Sequence, residues 1–176
     1  MNRQRTIALI GLAMMALSAA SAYADDMLGL WKIIDDKTNK PTAFVLIYQN
    51  GNAFYGRMMA TIDENNGLIK DTILTKKDKA DALAGDPPFC GLDFVYDMKA
   101  SGRDLKGFII DPKDGKEYAC TIKRDGDKLT VRGSLKGTGG LLGRNQTWLL
   151  ASASEIARDF VLPNPAGFKP VVPKKK

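Results

Sequence analysis

Residues 43–62 read AFVLIYQNGNAFYGRMMATI. A run of aliphatic and aromatic residues from Ala43 to Tyr48 meets the tetrad Gln49-Asn50-Gly51-Asn52, and a second run follows from Ala53 to Ile62. An Asn-Gly pair takes the unusual backbone dihedrals of a tight reversal, so the two runs are predicted to form an antiparallel hairpin. Within the second run, side chains alternate across the strand: Phe54, Gly56, Met58 and Ala60 fall on one side, Tyr55, Arg57 and Thr61 on the other.

The same pattern extends in both directions. Leu28–Ile34 places Gly29, Trp31 and Ile33 together. Further on, Cys90, Leu92, Phe94, Tyr96 and Met98 share one parity opposite Gly91, Asp93, Val95, Asp97 and Lys99, which predicts one buried and one wet face. Leu105–Ile110 is turned by Asp111-Pro112-Lys113-Asp114-Gly115 into Glu117–Lys123, where Tyr118, Cys120 and Ile122 point one way. Arg124-Asp125-Gly126-Asp127 turns again into Lys128–Ser134, and Asn145–Leu150 forms the last strand. Ser152–Phe160 has the N-cap and first-turn Glu155 of a short C-terminal helix. About eight strands joined by neighbouring hairpins predict an all-β, up-and-down antiparallel barrel, whose interior is filled by side chains or one small ligand. A β-sandwich is the alternative, because strand count alone does not separate the two. The charged stretch 63–89, ending at Gly85-Asp86-Pro87-Pro88, interrupts the rhythm. It is expected to be a long loop with a helical turn through Lys76–Ala84, either a lid or a tolerated insertion.

The chain opens with Arg3 and Arg5, an apolar run from Thr6 to Ala20, and Ser21-Ala22-Tyr23-Ala24 before Asp25-Asp26. That is the build of a secretory signal peptide over residues 1–24, cleaved after Ala24. Its apolar run falls short of the roughly 20 residues of a spanning helix, so the protein is expected to be periplasmic or secreted and not membrane-spanning. The remainder is read as one domain over residues 25–161 and a Pro/Lys-rich tail over 162–176, extended and solvated. The formal charge of +6 falls by two when Arg3 and Arg5 leave, and Lys174, Lys175 and Lys176 crowd the tail. The body is close to neutral and gives no reason to expect a nucleic-acid partner.

The chain has no histidine, which excludes Ser-His and Cys-His nucleophile pairs and the usual zinc sites. Cys90 and Cys120 both fall on core-facing parities; outside the cytoplasm they are expected to form a structural disulfide, with inert buried thiols as the alternative. A redox pair would normally be close in sequence and exposed. Asp35, Asp36, Asp63, Glu64, Asp93, Asp97, Asp111 and Asp114 occupy turns or wet parities, so no inward pair of acids supports hydrolysis. Asp111–Glu117 lacks the full spacing of a calcium loop. The glycosylation sequon Asn145-Gln146-Thr147 falls inside a predicted strand. No enzyme activity, cofactor or metal is expected. Trp31, Phe54, Met58, Leu92, Phe94, Tyr96, Met98 and Tyr118 fall on inward parities and are expected to line an apolar cavity for a small apolar molecule. The alternative is a filled core, with the outer face and loops serving a protein partner.

An ordered set of short motifs runs through the domain: Gly29-Leu30-Trp31, Lys40-Pro41, Gly56-Arg57, Cys90-Gly91-Leu92, Asp111 to Tyr118, Val131-Arg132-Gly133, and Leu142-Gly143-Arg144-Asn145-Gln146-Thr147-Trp148. In this order, from about Gly29 to Trp148, they resemble DUF2147, a bacterial exported family of unknown function. The resemblance implies a lipocalin-like barrel in which Trp31 lies across the base and an arginine of the closing strand packs on it. Arg144 is the arginine of that segment, and Gly29, Trp31, Arg144 and Trp148 are the implied structural signature. Leu149-Leu150 stand where family members tend to place a further arginine. The resemblance implies no catalytic residue.

Overall fold

The computed structural model describes residues 24–138 and 141–176; the signal peptide expected over residues 1–24 lies outside them except for Ala24. The strands are β1 (Gly29–Ile34), β2 (Pro41–Asn50), β3 (Ala53–Ile62), β4 (Ile69–Thr72), β5 (Asp93–Ser101), β6 (Asp104–Ile110), β7 (Glu117–Asp125), β8 (Lys128–Ser134) and β9 (Gly143–Leu150). Every pairing is antiparallel, and because β1 joins β9 while β2 joins β3, all strands but β4 close into a ring of eight. The chain is therefore an up-and-down barrel, and the sandwich alternative fails at that closure. Strand β4 lies beside Ala60–Ile62 at the far end of β3, beyond the part of β3 that pairs with β5.

One end of the barrel is tightly turned. Asn50 pairs with Ala53, Ser101 with Asp104 and Asp125 with Lys128, each across two residues. In each turn glycine comes first with a positive φ: Gly51 at 58°, Gly102 at 63° and Gly126 at 58°. The reversal predicted at Asn50-Gly51 is thus centred on Gly51-Asn52, where only glycine takes the left-handed conformation without strain. The other end carries the longer connections 35–40, 63–92, 111–116 and 135–142.

Inside the ring, Trp31, Val45, Ile47, Phe54, Leu105, Ile122, Leu129 and Trp148 are part of the main core. A second apolar layer lies outside it: Leu30, Phe44, Leu46, Met59, Ala60 and Ile62 are covered by Ile156, with Phe160, Leu162 and Phe168 packed against them. Strand β2 is therefore buried on both faces, which explains why Ala43–Tyr48 reads as an unbroken apolar run where a half-exposed strand would alternate.

The chain after β9 departs from expectation. Ser152–Phe160 forms only one 3-10 turn, Ala153–Glu155, held by a Ser152–Glu155 capping box. Residues 162–176 are extended apart from one 3-10 turn, Pro165–Gly167, capped by Asn164, and they are tied to the barrel wall where a solvated tail was expected. Asn50 Nδ2 donates to the Phe168 carbonyl at 2.9 Å and Arg57 Nη2 to that of Lys169 at 2.7 Å. Val171 and Asp93 exchange bonds, the Val171 amide reaching Asp93 Oδ2 at 2.6 Å and the Asp93 amide reaching the Val171 carbonyl at 3.0 Å. The Ala84 amide then donates to the Lys174 carbonyl at 2.9 Å.

The tail also corrects the reading of β5. Asp93, expected on a wet face, is fully buried under this strap against Arg57. Asp97 has φ of 51° and the β5–β6 register slips between Tyr96 and Lys99, marking a bulge that breaks the simple alternation. No helical turn forms through Lys76–Ala84. Asp71 organises that region instead, its carboxylate accepting from the Thr72 amide, the Thr75 hydroxyl and the Asp78 amide. Among the described residues, no helix is long and apolar enough to cross a membrane.

The disulfide expected between Cys90 and Cys120 is not formed; both are free, buried thiols. Cys120 lies on β7, between Gly107 of β6 and Gly133 of β8, while Cys90 precedes β5, which β6 separates from β7. Shared inward parity did not make the two positions neighbours.

Candidate functional site: a cavity at the open end of the barrel

The longer connections surround a cavity of about 800 Å³. Ile33, Ala43, Met58, Phe94, Ile109 and Val131 supply apolar wall, and Asp35, Asp63, Glu64, Asp111, Lys113 and Arg144 lie around it with Gln146. This follows from strand direction: inward positions near the mouth end of each strand face the space, whereas those near the tight turns fill the opposite half. Gly56 lets two walls come together, since a Cβ there would stand 3.0 Å from Val95 Cβ and 3.3 Å from Val45 Cγ1.

Of the residues expected to line a cavity, Met58, Phe94 and Tyr118 do so. Trp31, Phe54, Leu92 and Met98 are buried in the packed core and do not line it. Tyr96 is turned out of it by the β3–β5 register, in which the single step Gly56–Arg57 faces the two-residue step Val95–Asp93: its ring lies 5.7 Å from that of Phe108, and its hydroxyl donates to Glu117. Among the residues missed, Ile33, Ala43 and Ile109 sit near the mouth ends of their strands and Val131 midway along β8; the signal was their position along the strand, in addition to parity.

The closed end is built around Trp31, whose indole N–H donates to the Met27 carbonyl at 3.0 Å. The arginine over its ring is Arg124 of β7, 5.4 Å from the ring centroid. Arg144, implied for that role, stands at the other end beside the cavity. The correction was readable from parity, since Arg124 continues the series Tyr118, Cys120, Ile122 to the closed end of β7. Trp148 lies deep in the barrel, 6.0 Å from the Phe94 ring, and donates through its indole N–H to Gln146 Oε1 at 2.8 Å. An indole only donates, so the Gln146 oxygen must face it and the amide N–H groups remain available.

Segment 63–92 lies at the mouth. Phe89 and Asp78 line the cavity, Ala80 and Leu83 are fully buried in the main core, and the Ala82 carbonyl would be 2.8 Å from a Cβ on Gly115. Thr61 Oγ1, beside the cavity, is buried and has no hydrogen-bond partner among the described residues.

Asp35, Asp78 and Glu64 are engaged locally. Asp35 accepts from the Thr38 amide and hydroxyl and from the Lys37 amide, which holds its carboxyl below the usual range. Asp78 pairs with Lys70 at 2.8 Å and Glu64 with Lys113 at 3.4 Å. Burial pushes both thiols up to about 12, Cys90 being raised further by Asp71 and Asp78, so neither is a nucleophile near neutral pH.

Among solved structures, the chain is similar to Helicobacter pylori protein HP1028, which belongs to the lipocalin family, with a TM-score of 0.59 and 20% sequence identity over 78% of this chain and 92% of that one. At that identity the likeness concerns the fold. No curated protein matches. The bacterial family described as "Uncharacterized protein conserved in bacteria (DUF2147)" matches residues 29–149, from the start of β1 almost to the end of β9, and the chain belongs to that family.

Proposed function

We propose that this protein is an exported binding protein that works in the periplasm or beyond it and holds a small, mainly apolar molecule in the open end of its barrel. The observation that carries the reading is the cavity of about 800 Å³, walled in part by Ile33, Met58, Phe94, Ile109 and Val131 with polar and charged side chains among and around them, and reached from the mouth while the other end is packed shut. That size lies within the range of small-molecule sites. The amino-terminal pattern of residues 1–24 supports export, and nothing in the reading requires chemistry on the bound molecule.

Native mass spectrometry of the protein purified from periplasm, followed by solvent extraction, tests it. A reproducible small adduct that is lost on denaturation supports the binder and identifies its ligand class. A bare polypeptide mass, together with failure to take up apolar probes, overturns it.

A second reading, a module for a protein partner, draws on the strongly exposed Leu141 and Leu142 between β8 and β9. Under that reading, Leu141→Ser with Leu142→Ser abolishes capture of the partner and leaves small-molecule uptake unchanged.

A further inference from the structure

We infer that Arg144, with the carboxamide of Gln146, forms the polar end of the cavity and selects a ligand bearing an anionic oxygen head group, a carboxylate or a phosphate, on an apolar body. The inference rests on the binding reading above and names the ligand class. Both residues lie beside the cavity and share one parity with buried Trp148, so this side of β9 grades from an indole in the depths through an amide to a guanidinium at the mouth. The indole fixes the Gln146 oxygen, leaving its amide N–H groups as donors. Arg144 makes no hydrogen bond or ion pair with any described residue, whereas Lys70 and Lys113, the other bases beside the cavity, are paired with Asp78 and Glu64. A guanidinium beside an amide presents donors only, and the matching ligand group is an acceptor that carries negative charge.

The acids nearby sharpen the selectivity. Asp35 is held by its own turn, Asp63 accepts from the Asn65 amide and Asp111 from the Lys113 amide. None of these, nor Asp36, which also lines the cavity, accepts from Arg144, and their negative charge opposes any anion at the mouth. Retention therefore needs the apolar body inside the barrel as well as the head group on Arg144. Space for that group exists opposite Arg144, where β8 carries Gly133. A Cβ on Gly133 would be 3.6 Å from Ile109 Cγ2 and 3.7 Å from Tyr118 Cβ, which is ordinary contact, and its φ is not in the left-handed region. A larger side chain there fills the cavity without straining the backbone.

The test is calorimetric titration of the protein with a long-chain carboxylic acid, the alkyl phosphate and methyl ester of matching length, and inorganic phosphate. The expected result is binding of the acid, the phosphate or both at least tenfold tighter than the ester, with no measurable binding of inorganic phosphate. Arg144→Gln is expected to weaken the charged probe by about ten- to a hundredfold and leave the ester unchanged, the range for a charge-assisted hydrogen bond. Gly133→Leu is expected to weaken all three chain-bearing probes. The acid and alkyl phosphate arms show which head group is preferred. Equal binding of acid, phosphate and ester, unmoved by Arg144→Gln, overturns the head-group assignment and leaves the binder standing. Binding of none of the chain-bearing probes overturns both.

Discussion

Arg57 and Asp93 face each other across the seam between β3 and β5, with Nη2 2.6 Å from Oδ2 and Nε 3.0 Å from Oδ1. Asp93 is 0% exposed and Arg57 6%, and the Phe168 ring lies 4.1 Å from the guanidinium carbon. The seam itself is irregular, with register shifts on both sides of Gly56. Removing one partner leaves the other as an uncompensated buried charge, so Asp93→Ala is expected to destabilise the fold by about 3–5 kcal/mol. The double variant Arg57→Met with Asp93→Leu is expected to recover much of that loss. Urea denaturation of the two singles and the double checks the non-additivity.

Ending the chain before Phe168 removes the ring over Arg57, the Lys169 carbonyl and the Val171 bonds at one stroke. It also removes the Lys174 carbonyl that holds the Ala84 amide. Truncation is therefore expected to lower the unfolding midpoint and to speed amide exchange in residues 80–86 more than in β7 or β8. Hydrogen exchange on the full and shortened chains measures both; equal protection of residues 80–86 in the two would show that the strap does not hold that segment.

The barrel was legible because turn residues and alternation are local signals, and β2 announced its burial on both faces by its unbroken apolar run. What covers its outer face was not legible. Phe168, Arg57 and Asp93 lie far apart in the chain, and proline-rich ends with terminal lysines read as solvated unless a wall is already there to receive them. Parity also failed where the β3–β5 register shifted it, which took Tyr96 out of the cavity, and it gave no information on adjacency, which is why Cys90 and Cys120 looked bondable. The cavity was half legible: Met58, Phe94 and Tyr118 follow from parity, while the choice between mouth and base needs the position of each residue along its strand.

The two ends of the barrel assign different work to two arginines. Arg124 stacks on Trp31 at the closed end, whereas Arg144 stands at the mouth without a hydrogen bond or ion pair to any described residue. Arg124→Ala is expected to cost about 1 kcal/mol or somewhat more, through the lost cation–π contact and the stem packed with it. Arg144→Ala, which breaks no hydrogen bond or ion pair among the described residues, is expected to stay within about 0.5 kcal/mol of the parent. Thermal denaturation followed by tryptophan fluorescence ranks the two, and an equal or reversed order would show that the Arg124–Trp31 contact adds nothing to stability.

Cys90 and Cys120 are each raised to about 12 by burial, so at pH 8 almost no thiolate is present to react. A disulfide-exchange thiol reagent is expected to label neither residue in the native protein, and to label both once denaturant is added, without prior reduction. An intact mass lacking two hydrogens, or no labelling in denaturant until a reductant is present, would show that the thiols had paired.

Glu117 is held at about 2, below the ordinary 4.5, chiefly by its hydrogen bond from Lys136, then by the Tyr96 hydroxyl and by Lys175 of the strap. A carboxyl whose value is depressed in the folded state favours that state whenever it is ionised. Its contribution is full above about 4.5 and disappears as the pH falls through about 2. Glu117→Gln is accordingly expected to melt below the parent at pH 7, with the gap narrowing across that window and closing at its acid end. Both lysines are about half exposed, at 51% and 53%, so added salt is expected to narrow the pH 7 gap as well. Melting curves of parent and variant between pH 7 and 2 decide the matter: a gap constant with pH would mean that Glu117 acts through packing alone, and a gap that widens in acid would contradict the sign of the shift.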